Sequence, residues 1–379
     1  MKGILIIIDG LGDLPNKKLG GKTPLEIANK PSIDYLSKKA RLGYMYSVGE
    51  EIVPESDAAV LSIFGNKHVR NVRGWLEAFG ISLKLTRGDL AFRTNFATAS
   101  GKHVIDRRAG RTLTTEEAEK LTKEINNKVK LPCKFLFKNT IQHRGVLVLR
   151  GGFSDNITNT DPAYHGQGKI ILKPNFKFSE PLDDEENSKY SANIVNEFIE
   201  QSRKILNENK INELRKKKGF YPANIILTRD GGIELPKLKQ YEKWIAITNM
   251  PMEIGIAKAS GMSLCSLGYP ELKNYDVYEN LHYALKKFCE QAVEFLNKNL
   301  RKYDYAYIHF KETDVPGHDN KPLEKVKMIE EIDKYFFNEI KEVLEKNKIS
   351  VLVTADHSTP CELKNHSSDP VPVCFCEWK

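Results

Sequence analysis

The stretch SVLVTADHSTPCELKNHSSDPVPV, residues 350–373, carries the strongest fold signal in this chain. Its apolar run at 351–353 predicts a buried strand, and the chain leaves that strand directly into Asp356 and His357. An adjacent carboxylate and imidazole have no packing role at a strand end, but both are good ligands for a divalent metal. Because ligand sites in α/β sheets form at strand ends, the stretch predicts a metal site there, with His366 as a further ligand.

Two more predicted strands end in residues of the same kind. The strand at 3–8 runs into Asp9, and the strand at 303–310 runs into a loop that carries Asp314 and His318 four residues apart. Parallel strands present their carboxyl ends at one edge of a sheet, so we expect these side chains to gather. A Gly-x-Gly sequence follows Asp9, but the third glycine of a dinucleotide-binding loop is absent, which excludes a Rossmann site.

Ser56 follows a proline-containing loop and opens a short predicted helix. One interpretation is a routine serine N-cap, which the position favours when it is taken alone. The other is a nucleophile whose alkoxide is favoured by the helix N-terminus and a nearby metal ion. The candidate ligands at the three strand ends favour the second interpretation.

The order of predicted elements suggests two domains. After residue 236 the pattern alternates strictly, with helices at 274–299 and 323–346 and strands at 303–310 and 349–353, which predicts a parallel sheet. We expect the first predicted strand, at 3–8, to pair within the same sheet. We therefore predict one α/β domain built from both chain ends, with a mostly parallel sheet flanked by helices.

The region between these ends has a different pattern. It contains strand-like pieces at 89–92, 145–149 and 170–172, followed by a long helical pattern at 192–216. Consecutive strands, without a helix between each pair, favour a separate α+β fold. We therefore place domain boundaries so that residues 1–75 plus 236–379 form the metal-binding domain and residues 76–235 form a smaller inserted substrate-binding or lid domain.

Composition limits the classes of function. The chain has 379 residues and a net charge of +8, spread along its length without the concentrated basic stripe of a nucleic-acid-binding module. No segment approaches the roughly 20 apolar residues that span a bilayer. The first apolar run is too short for the core of a signal peptide and has no cleavage site, so we expect it to be the first strand. The six cysteines are scattered, as expected for core thiols in a reducing cytoplasm. We expect neither nucleic acid nor membrane as a partner.

Together, these segments resemble the alkaline phosphatase superfamily, and specifically its archaeal-type 2,3-bisphosphoglycerate-independent phosphoglycerate mutases. The motifs TADHSTP at 354–360 and HSSDPVP at 366–372 are highly specific for that family. Other motifs follow in the family's order nearly end to end: DGLGDLP at 9–15, PESDAAVLSIFG at 54–65, GDLAFRTNFAT at 88–98, DRRAGR at 106–111, NTDP at 159–162 and FKETDVPGHD at 310–319. The stretch at 66–80 follows the family's form only loosely.

The resemblance implies an alkaline-phosphatase-like α/β fold and two divalent metal ions. One ion would be held by Asp9, Ser56, Asp356 and His357, and the other by Asp314, His318 and His366. Mixed nitrogen and oxygen ligands suit Mn²⁺ or Zn²⁺ better than Ca²⁺. We expect Mn²⁺, with Zn²⁺, Co²⁺ or Mg²⁺ as alternatives. The implied reaction interconverts 3-phosphoglycerate and 2-phosphoglycerate through phosphoserine at Ser56.

Such a reaction also needs groups that retain the glycerate intermediate. The candidates are Arg93, Asp106, Arg107, Arg108, Arg111, His143, Arg144, Asp161, Arg229 and Lys311. An arginine fork suits a carboxylate, and Arg111 and Arg229 are the preferred choices, although each arginine taken singly could equally form a structural salt bridge. Lys311 is a candidate for the phosphate. Two alternatives stay open, a metal-dependent phosphatase or phosphopentomutase-like enzyme of the same superfamily and a non-enzymatic binding module, and so does the oligomeric state.

Overall fold

The computed structural model describes residues 1–67, 71–164, 175–272 and 275–378. The β-strands in these ranges are β1 (Gly3–Ile8), β2 (Ala40–Met45), β3 (Leu90–Ser100), β4 (His103–Asp106), β5 (Phe135–Asn139), β6 (Arg144–Leu149), β7 (Ile225–Gly232), β8 (Trp244–Thr248), β9 (Ser263–Ser266), β10 (Tyr305–Phe310), β11 (Ser350–Thr354) and β12 (Val371–Cys376). The predicted strand at 170–172 lies outside the described residues.

The α-helices of the same ranges are α1 (Pro24–Ile27), α2 (Pro31–Ser37), α3 (Ser56–Ile63), α4 (Arg73–Gly80), α5 (Thr115–Lys128), α6 (Glu186–Asn207), α7 (Lys210–Lys217), α8 (Pro251–Ala259), α9 (Val277–Asn299), α10 (Asp314–His318), α11 (Pro322–Ile332) and α12 (Asn338–Lys346). A π-helical turn, Asp333–Phe337, joins α11 to α12. Among the described helices, none combines the length and the apolar character needed to cross a lipid bilayer.

The chain divides into two compact units. Unit 1 comprises Met1–His68, Leu238–Pro270 and Asp276–Lys379, and unit 2 comprises Val69–Lys237 and Glu271–Tyr275. Unit 2 therefore starts before the sequence-based limit of residue 76, because α4 packs against β3 and β7 of that unit.

Unit 1 is built on a seven-stranded sheet with the order β2-β12-β11-β1-β10-β8-β9. The five strands from β11 to β9 are parallel, and β12 and β2 add an antiparallel edge. Every residue of β1 is buried, as expected for a central strand covered by helices on both faces. The α/β class with a mostly parallel sheet is thus confirmed.

The strand order places three chain segments side by side. β1 lies between β10 and β11, with Ile7 opposite both His309 and Thr354. The residues that directly follow these strands therefore emerge at one edge of the sheet, the carboxyl edge at which ligands of α/β proteins bind.

Two sequence predictions differ from the observed helices. The single helix predicted at 192–216 is wrong, since α6 and α7 are separated at Asn209, whose side chain accepts a hydrogen bond from Ile211 N. The segment with Asp314 is the helix α10 rather than a loop.

Unit 2 is built on an antiparallel five-stranded sheet, in which β4-β3-β6-β5 are neighbours and β7 pairs with β3. One face packs Ala91 and Val146 against Trp75 of α4. The other face packs Phe92 and Leu147 in the core that also contains the inner sides of α5 and α6. The sheet is thus sandwiched between helices, and alternate residues of each strand face α4.

A contact between α9 and α11 in unit 1 predicts that the stability of the protein depends on pH. His282 on α9 lies with Nδ1 2.9 Å from Glu331 Oε2 and Nε2 2.8 Å from Glu324 Oε2, both on α11. The hydrogen bond to Glu331 outweighs burial and raises the pKa of His282 above 6.5. The folded state therefore binds the His282 proton more tightly than the unfolded state does. The contact stabilises the folded state fully below about pH 6.5, and this contribution is lost as the pH rises through the raised pKa of His282.

We therefore expect His282→Gln to lower the free energy of unfolding by roughly 1 kcal/mol at about pH 6 and to have little effect at about pH 9. Urea denaturation of variant and wild type at both pH values measures the difference. His103→Gln, at an exposed position, is the matched control. An equal loss at both pH values would show that the contact acts through packing and not through its charge.

Candidate metal and nucleophile site

The side chains predicted from the sequence to bind metal lie together at the carboxyl edge of the unit 1 sheet. Three sets of ligand atoms lie within 4.8 Å of one another: Asp314 with His318 and His366, Asp9 with Asp314 and His357, and Asp9 with His309 and Asp356. Asp9 follows β1, Asp356 and His357 follow β11, and Asp314 follows β10. The topology therefore brings together all the metal ligands predicted from sequence in this unit, with Ser56 beside His357.

Two histidines of the site have their tautomers set by backbone carbonyls. His318 Nδ1 donates to Lys364 O at 2.9 Å, and His366 Nδ1 donates to Pro54 O at 2.8 Å. Because a carbonyl only accepts, the proton of each neutral ring is on Nδ1, and Nε2 carries a lone pair. The Nε2 atoms of His318 and His366 lie 3.4 Å and 3.7 Å from the carboxylate oxygens of Asp314. This is the orientation of metal-ligating histidines.

His357 is oriented in the same way by a hydroxyl group. Its Nδ1 lies 3.0 Å from Thr359 Oγ1, and that hydroxyl donates its single proton to Asp314 Oδ1 at 2.8 Å. His357 Nδ1 must therefore be the donor to Thr359, which leaves a lone pair on Nε2. Burial and the neighbouring His366 lower the pKa of His357 to about 3, so its ring is neutral at physiological pH.

Two buried carboxylates face that lone pair. Asp9 Oδ1 and Asp356 Oδ2 each lie 3.3 Å from His357 Nε2, and neither oxygen has a hydrogen-bond partner among the described residues. Both aspartates are fully buried. Burial and the charge of Asp9 raise the pKa of Asp356 to about 7. Unpaired buried acceptors are costly, and a divalent cation is the group that would satisfy all three atoms at once.

Ser56 is not the N-cap of α3. The N-cap of α3 is Glu55, and Ser56 is the first residue inside the helix. The N-cap interpretation is therefore wrong. The buried Ser56 Oγ lies 3.2 Å from His357 Nε2 and 3.4 Å from Lys311 Nζ. A hydroxyl at a helix N-terminus beside a cationic side chain is suited to carry developing negative charge.

The ammonium group of Lys311 lies close to two carboxylates as well as to the hydroxyl of Ser56. Its Nζ contacts Asp9 and lies 3.3 Å from Glu253 Oε1. Burial lowers the pKa of Lys311, but these carboxylates outweigh burial and raise it, so the ammonium group stays charged. A fixed positive charge next to Ser56 Oγ is suited to a phosphate oxygen.

Some charged residues of this site were not predicted from the sequence. Glu253 on α8 is buried, and apart from the ion pair with Lys311 its carboxylate oxygens have no hydrogen-bond partner among the described residues. His309 on β10 is also buried, with Nδ1 2.7 Å from the hydroxyl of Tyr307. A histidine inside the apolar run of β10 was a usable signal, whereas an acidic residue in the first turn of a helix is too common to be one.

A buried lysine joins the loops that carry the ligands. Lys325 Nζ donates to Gly12 O at 3.0 Å, to Asp13 Oδ2 at 2.8 Å and to Thr359 O at 3.0 Å. The loop after β1 is thereby tied to the loop after β11. Gly10 is held in the left-handed region at φ 59°, and an added Cβ would lie 2.9 Å from Asp314 Oδ1. Both features keep the ligand loops close together.

The sequence-predicted substrate residues other than Lys311 lie in unit 2. Arg93 on β3 and Arg229 on β7 are directly opposite each other in register, and both are buried. The Arg229 guanidinium lies 3.6 Å from the centroid of the Tyr164 ring, and its Nε is 3.7 Å from Asp230 Oδ2. Arg229 Nε and Nη1 have no hydrogen-bond partner among the described residues. These buried donors are suited to an anion.

Arg107 and Asp161 form a bidentate pair in the same unit. Arg107 Nε and Nη2 donate to the two Asp161 oxygens at 2.7 Å and 2.6 Å. Burial raises the pKa of Asp161, but the charge of Arg107 outweighs it and lowers that pKa, so the pair is ionic. The Arg107 guanidinium also lies 5.0 Å from the Tyr164 ring centroid, so Tyr164 is shared with Arg229.

The remaining predicted residues of unit 2 lie around the turn after β4. Asp106 Oδ1 accepts hydrogen bonds from the backbone N–H groups of Arg108 and Gly110, so that oxygen shapes the turn. Arg111 adopts a left-handed backbone at φ 55° in the same turn. Burial, followed by the charges of Arg144 and the turn's arginines, lowers the pKa of His143 well below its usual value, so His143 is neutral. Glu77 on α4 lies near Arg73 of the same helix and near Arg93, Arg144 and Arg229. Neither Arg73 nor Glu77 was predicted from the sequence as a site residue.

Comparison with known proteins agrees with this geometry. The family model described as 2,3-bisphosphoglycerate-independent phosphoglycerate mutase matches residues 37–212. A protein of that name from Thermococcus kodakarensis is 41% identical over 383 residues, which cover 98% of this chain and 87% of the relative. A protein of the same name from Metallosphaera sedula is 41% identical over 384 residues, with 98% and 87% coverage.

Solved structures give the same result. A protein from Pyrococcus horikoshii matches with a TM-score of 0.72 and 31% identity over 99% of this chain and 87% of that one. The cofactor-independent phosphoglycerate mutase of Thermoplasma acidophilum matches with a TM-score of 0.51 and 27% identity, covering 99% and 89%. This chain belongs to the family of 2,3-bisphosphoglycerate-independent phosphoglycerate mutases.

Proposed function

We propose that this protein interconverts 3-phosphoglycerate and 2-phosphoglycerate without 2,3-bisphosphoglycerate, through a phosphoserine at Ser56. The observation that carries the proposal is the group of three histidines, each with Nδ1 hydrogen-bonded and Nε2 facing aspartate carboxylates, beside the Ser56 hydroxyl. Relatives at 41% identity bear the name of this activity, which supports the same conclusion.

We propose two divalent ions, with Mn²⁺ as the expected metal and Zn²⁺, Co²⁺ and Mg²⁺ as alternatives; ligands that mix imidazole nitrogen with oxygen suit Mn²⁺ or Zn²⁺ better than Ca²⁺. One ion is assigned to Asp9, Ser56, Asp356 and His357, and the other to Asp314, His318 and His366. When bound, such ions lower the pKa of a serine hydroxyl and neutralise phosphate oxygens. Metal analysis of the purified protein that found fewer than two ions per chain at saturation would contradict this assignment.

The residues of unit 1 account for both transfers of the phosphoryl group. Ser56 Oγ loses its proton and forms a bond to phosphorus as the bond from phosphorus to the glycerate oxygen breaks, and the released glycerate oxygen takes up a proton. Lys311, 3.4 Å from Ser56 Oγ, holds a positive charge for the phosphate oxygens. In the second transfer the other glycerate hydroxyl loses its proton and bonds to phosphorus, and Ser56 Oγ is released and protonated.

The residues of unit 2 are proposed to retain glycerate between the two transfers. Arg93 and Arg229 are the best candidates for the carboxylate, because both are buried and Arg229 keeps donors without a hydrogen-bond partner among the described residues. The further candidates for the carboxylate or the hydroxyl groups are Asp106, Arg107, Arg108, Arg111, His143, Arg144 and Asp161. For Asp106, Arg107 and Asp161 the existing hydrogen bonds favour a role in arranging this group.

A coupled assay tests the reaction directly. Purified protein supplied with Mn²⁺ and 3-phosphoglycerate is expected to form 2-phosphoglycerate, which enolase converts to a product detected by absorbance, without added 2,3-bisphosphoglycerate. Release of inorganic phosphate without 2-phosphoglycerate would instead identify a phosphatase and overturn the proposal.

We also propose a cytoplasmic location. Each of the six cysteines has a free thiol, and free thiols persist in a reducing compartment. Cell fractionation that recovered the protein mainly outside the cytoplasm would contradict this proposal.

A further inference from the structure

The arginines of unit 2 repel one another where they lie. Arg93 is opposite Arg229 across the β3–β7 ladder, and Arg144 on β6 is opposite Asn95, two residues further along β3. Like charges directly opposite in a sheet are destabilising, and burial strengthens the repulsion because less water screens it. A group of this kind needs a built-in counter-charge that also keeps each guanidinium in place.

Glu77 on α4 supplies that counter-charge. Its Oε1 lies 3.3 Å from Arg73 Nε and 3.2 Å from Arg93 Nε, and all three side chains are buried. The Arg73 contact is a hydrogen bond from Nε–H, and the Arg93 contact is a close ion pair at Nε, so one carboxylate oxygen links the two guanidinium groups. Burial raises the pKa of Glu77, but the charges of Arg93 and Arg73 outweigh it and lower that pKa, so the carboxylate is ionised.

A glycine sets the position of this carboxylate. A Cβ added to Gly74 would lie 2.0 Å from Ala91 O and 2.8 Å from Asp230 O, so α4 rests directly on the backbones of β3 and β7. Glu77 follows Arg73 by one helical turn and therefore shares a helix face with it. The close approach brings that face to Arg93 on the sheet.

We infer that Glu77 is a positioning residue, which holds Arg73 and Arg93 in the arrangement that binds the anionic substrate. The inference rests on the proposed function, since it makes phosphoglycerate the anion. Four guanidinium groups act on the charge of Glu77, those of Arg73, Arg93, Arg144 and Arg229, and guanidinium groups suit a substrate that carries both a carboxylate and a phosphate.

The test is Glu77→Gln in the full-length, Mn²⁺-loaded enzyme, which keeps the side-chain shape and removes only the charge. If Glu77 positions the arginines, KM for 3-phosphoglycerate rises between about 10-fold and 100-fold although the site has become more positive, because small displacements of binding groups are costly. The change in kcat is expected to stay within about threefold. Glu77→Asp keeps the charge on a shorter side chain and is expected to restore part of the loss.

Glu117→Gln is the matched control, because Glu117 pairs with buried Arg215 at 2.7 Å in the same unit but is not part of the arginine group. It is expected to lower the melting temperature with KM unchanged. A lower KM in Glu77→Gln would mean that Glu77 acts only as a counter-charge, and an unchanged KM with a lower melting temperature would mean a purely structural role. Either result overturns the inference.

Two further outcomes separate this inference from the proposed function. If Glu77→Gln does not fold, the KM of Glu77→Asp decides the matter, since an unchanged KM there contradicts positioning. Wild-type enzyme that neither turns over nor binds 3-phosphoglycerate overturns the proposed function and this inference together, whereas wild-type turnover with an unaffected Glu77→Gln overturns the inference alone.

Discussion

Replacing Ser56 with alanine is expected to lower kcat for 3-phosphoglycerate by at least ~10⁴-fold, because the oxygen that would receive the phosphoryl group is removed. Folding should be nearly unaffected, since Ser56 is not the N-cap of α3 and its hydroxyl makes no capping hydrogen bond. The coupled 2-phosphoglycerate assay and the melting temperature measure the two expectations separately.

Ser62→Ala, on the same helix α3, is the matched control and should retain wild-type activity. Mass spectrometry of the wild-type enzyme quenched during turnover should also find phosphate on the peptide that contains Ser56, and this signal should be absent from Ser56→Ala. Retention of more than about a tenth of wild-type kcat in Ser56→Ala would contradict a phosphoserine mechanism.

Replacing Asp9 with asparagine is expected to reduce both metal binding and turnover. The fully buried Asp9 is 3.3 Å from His357 Nε2 through an oxygen that has no hydrogen-bond partner among the described residues, so its charge is the feature a cation would use. Wild-type protein should gain about 2.7 kcal/mol of stability at a Mn²⁺ concentration 100 times the dissociation constant. Asp9→Asn should lose most of that gain at the same concentration, and its kcat should fall by at least ~10³-fold.

The matched control for Asp9 is another buried aspartate of unit 1. Asp333 accepts hydrogen bonds from Ser32 N and Ile33 N at the start of α2, away from the metal ligands. Asp333→Asn should lower the melting temperature in the absence of metal and leave the Mn²⁺-induced rise unchanged. If Asp9→Asn keeps the full Mn²⁺-induced rise, Asp9 is not a ligand and the assignment of the first ion is wrong.

Much of the candidate site could be predicted because it depends on strand order. Asp9, Asp314 and Asp356 each follow an apolar run long enough to be a strand, and parallel strands must end at a common edge. The mostly parallel α/β fold follows from the same alternation of strands and helices. The sequence also indicated a second unit, because its pattern changes from alternating strands and helices to consecutive strands.

Other features depend on backbone geometry that short-range patterns do not encode. Ser56 could be a cap or the first helical residue, and the extended backbone of Glu55 settles this point. Asp314 and His318 were placed in a loop because a short segment containing a proline and a glycine does not predict a helix. In α10 they lie on one face of a helix, four residues apart.

The residue types and their order were thus sufficient to predict the fold class, the family and the chemistry of the metal ligands, because strand-end carboxylates and imidazoles have no common structural role. The buried counter-charges required three-dimensional packing to be recognised. In the sequence, Glu77, Glu253 and Lys325 look like ordinary surface residues of a helical pattern. Each acquires a role only where a helix brings it against a charge distant in sequence. Burial decides their importance, because an ion pair that water would screen at the surface becomes a strong constraint inside the protein.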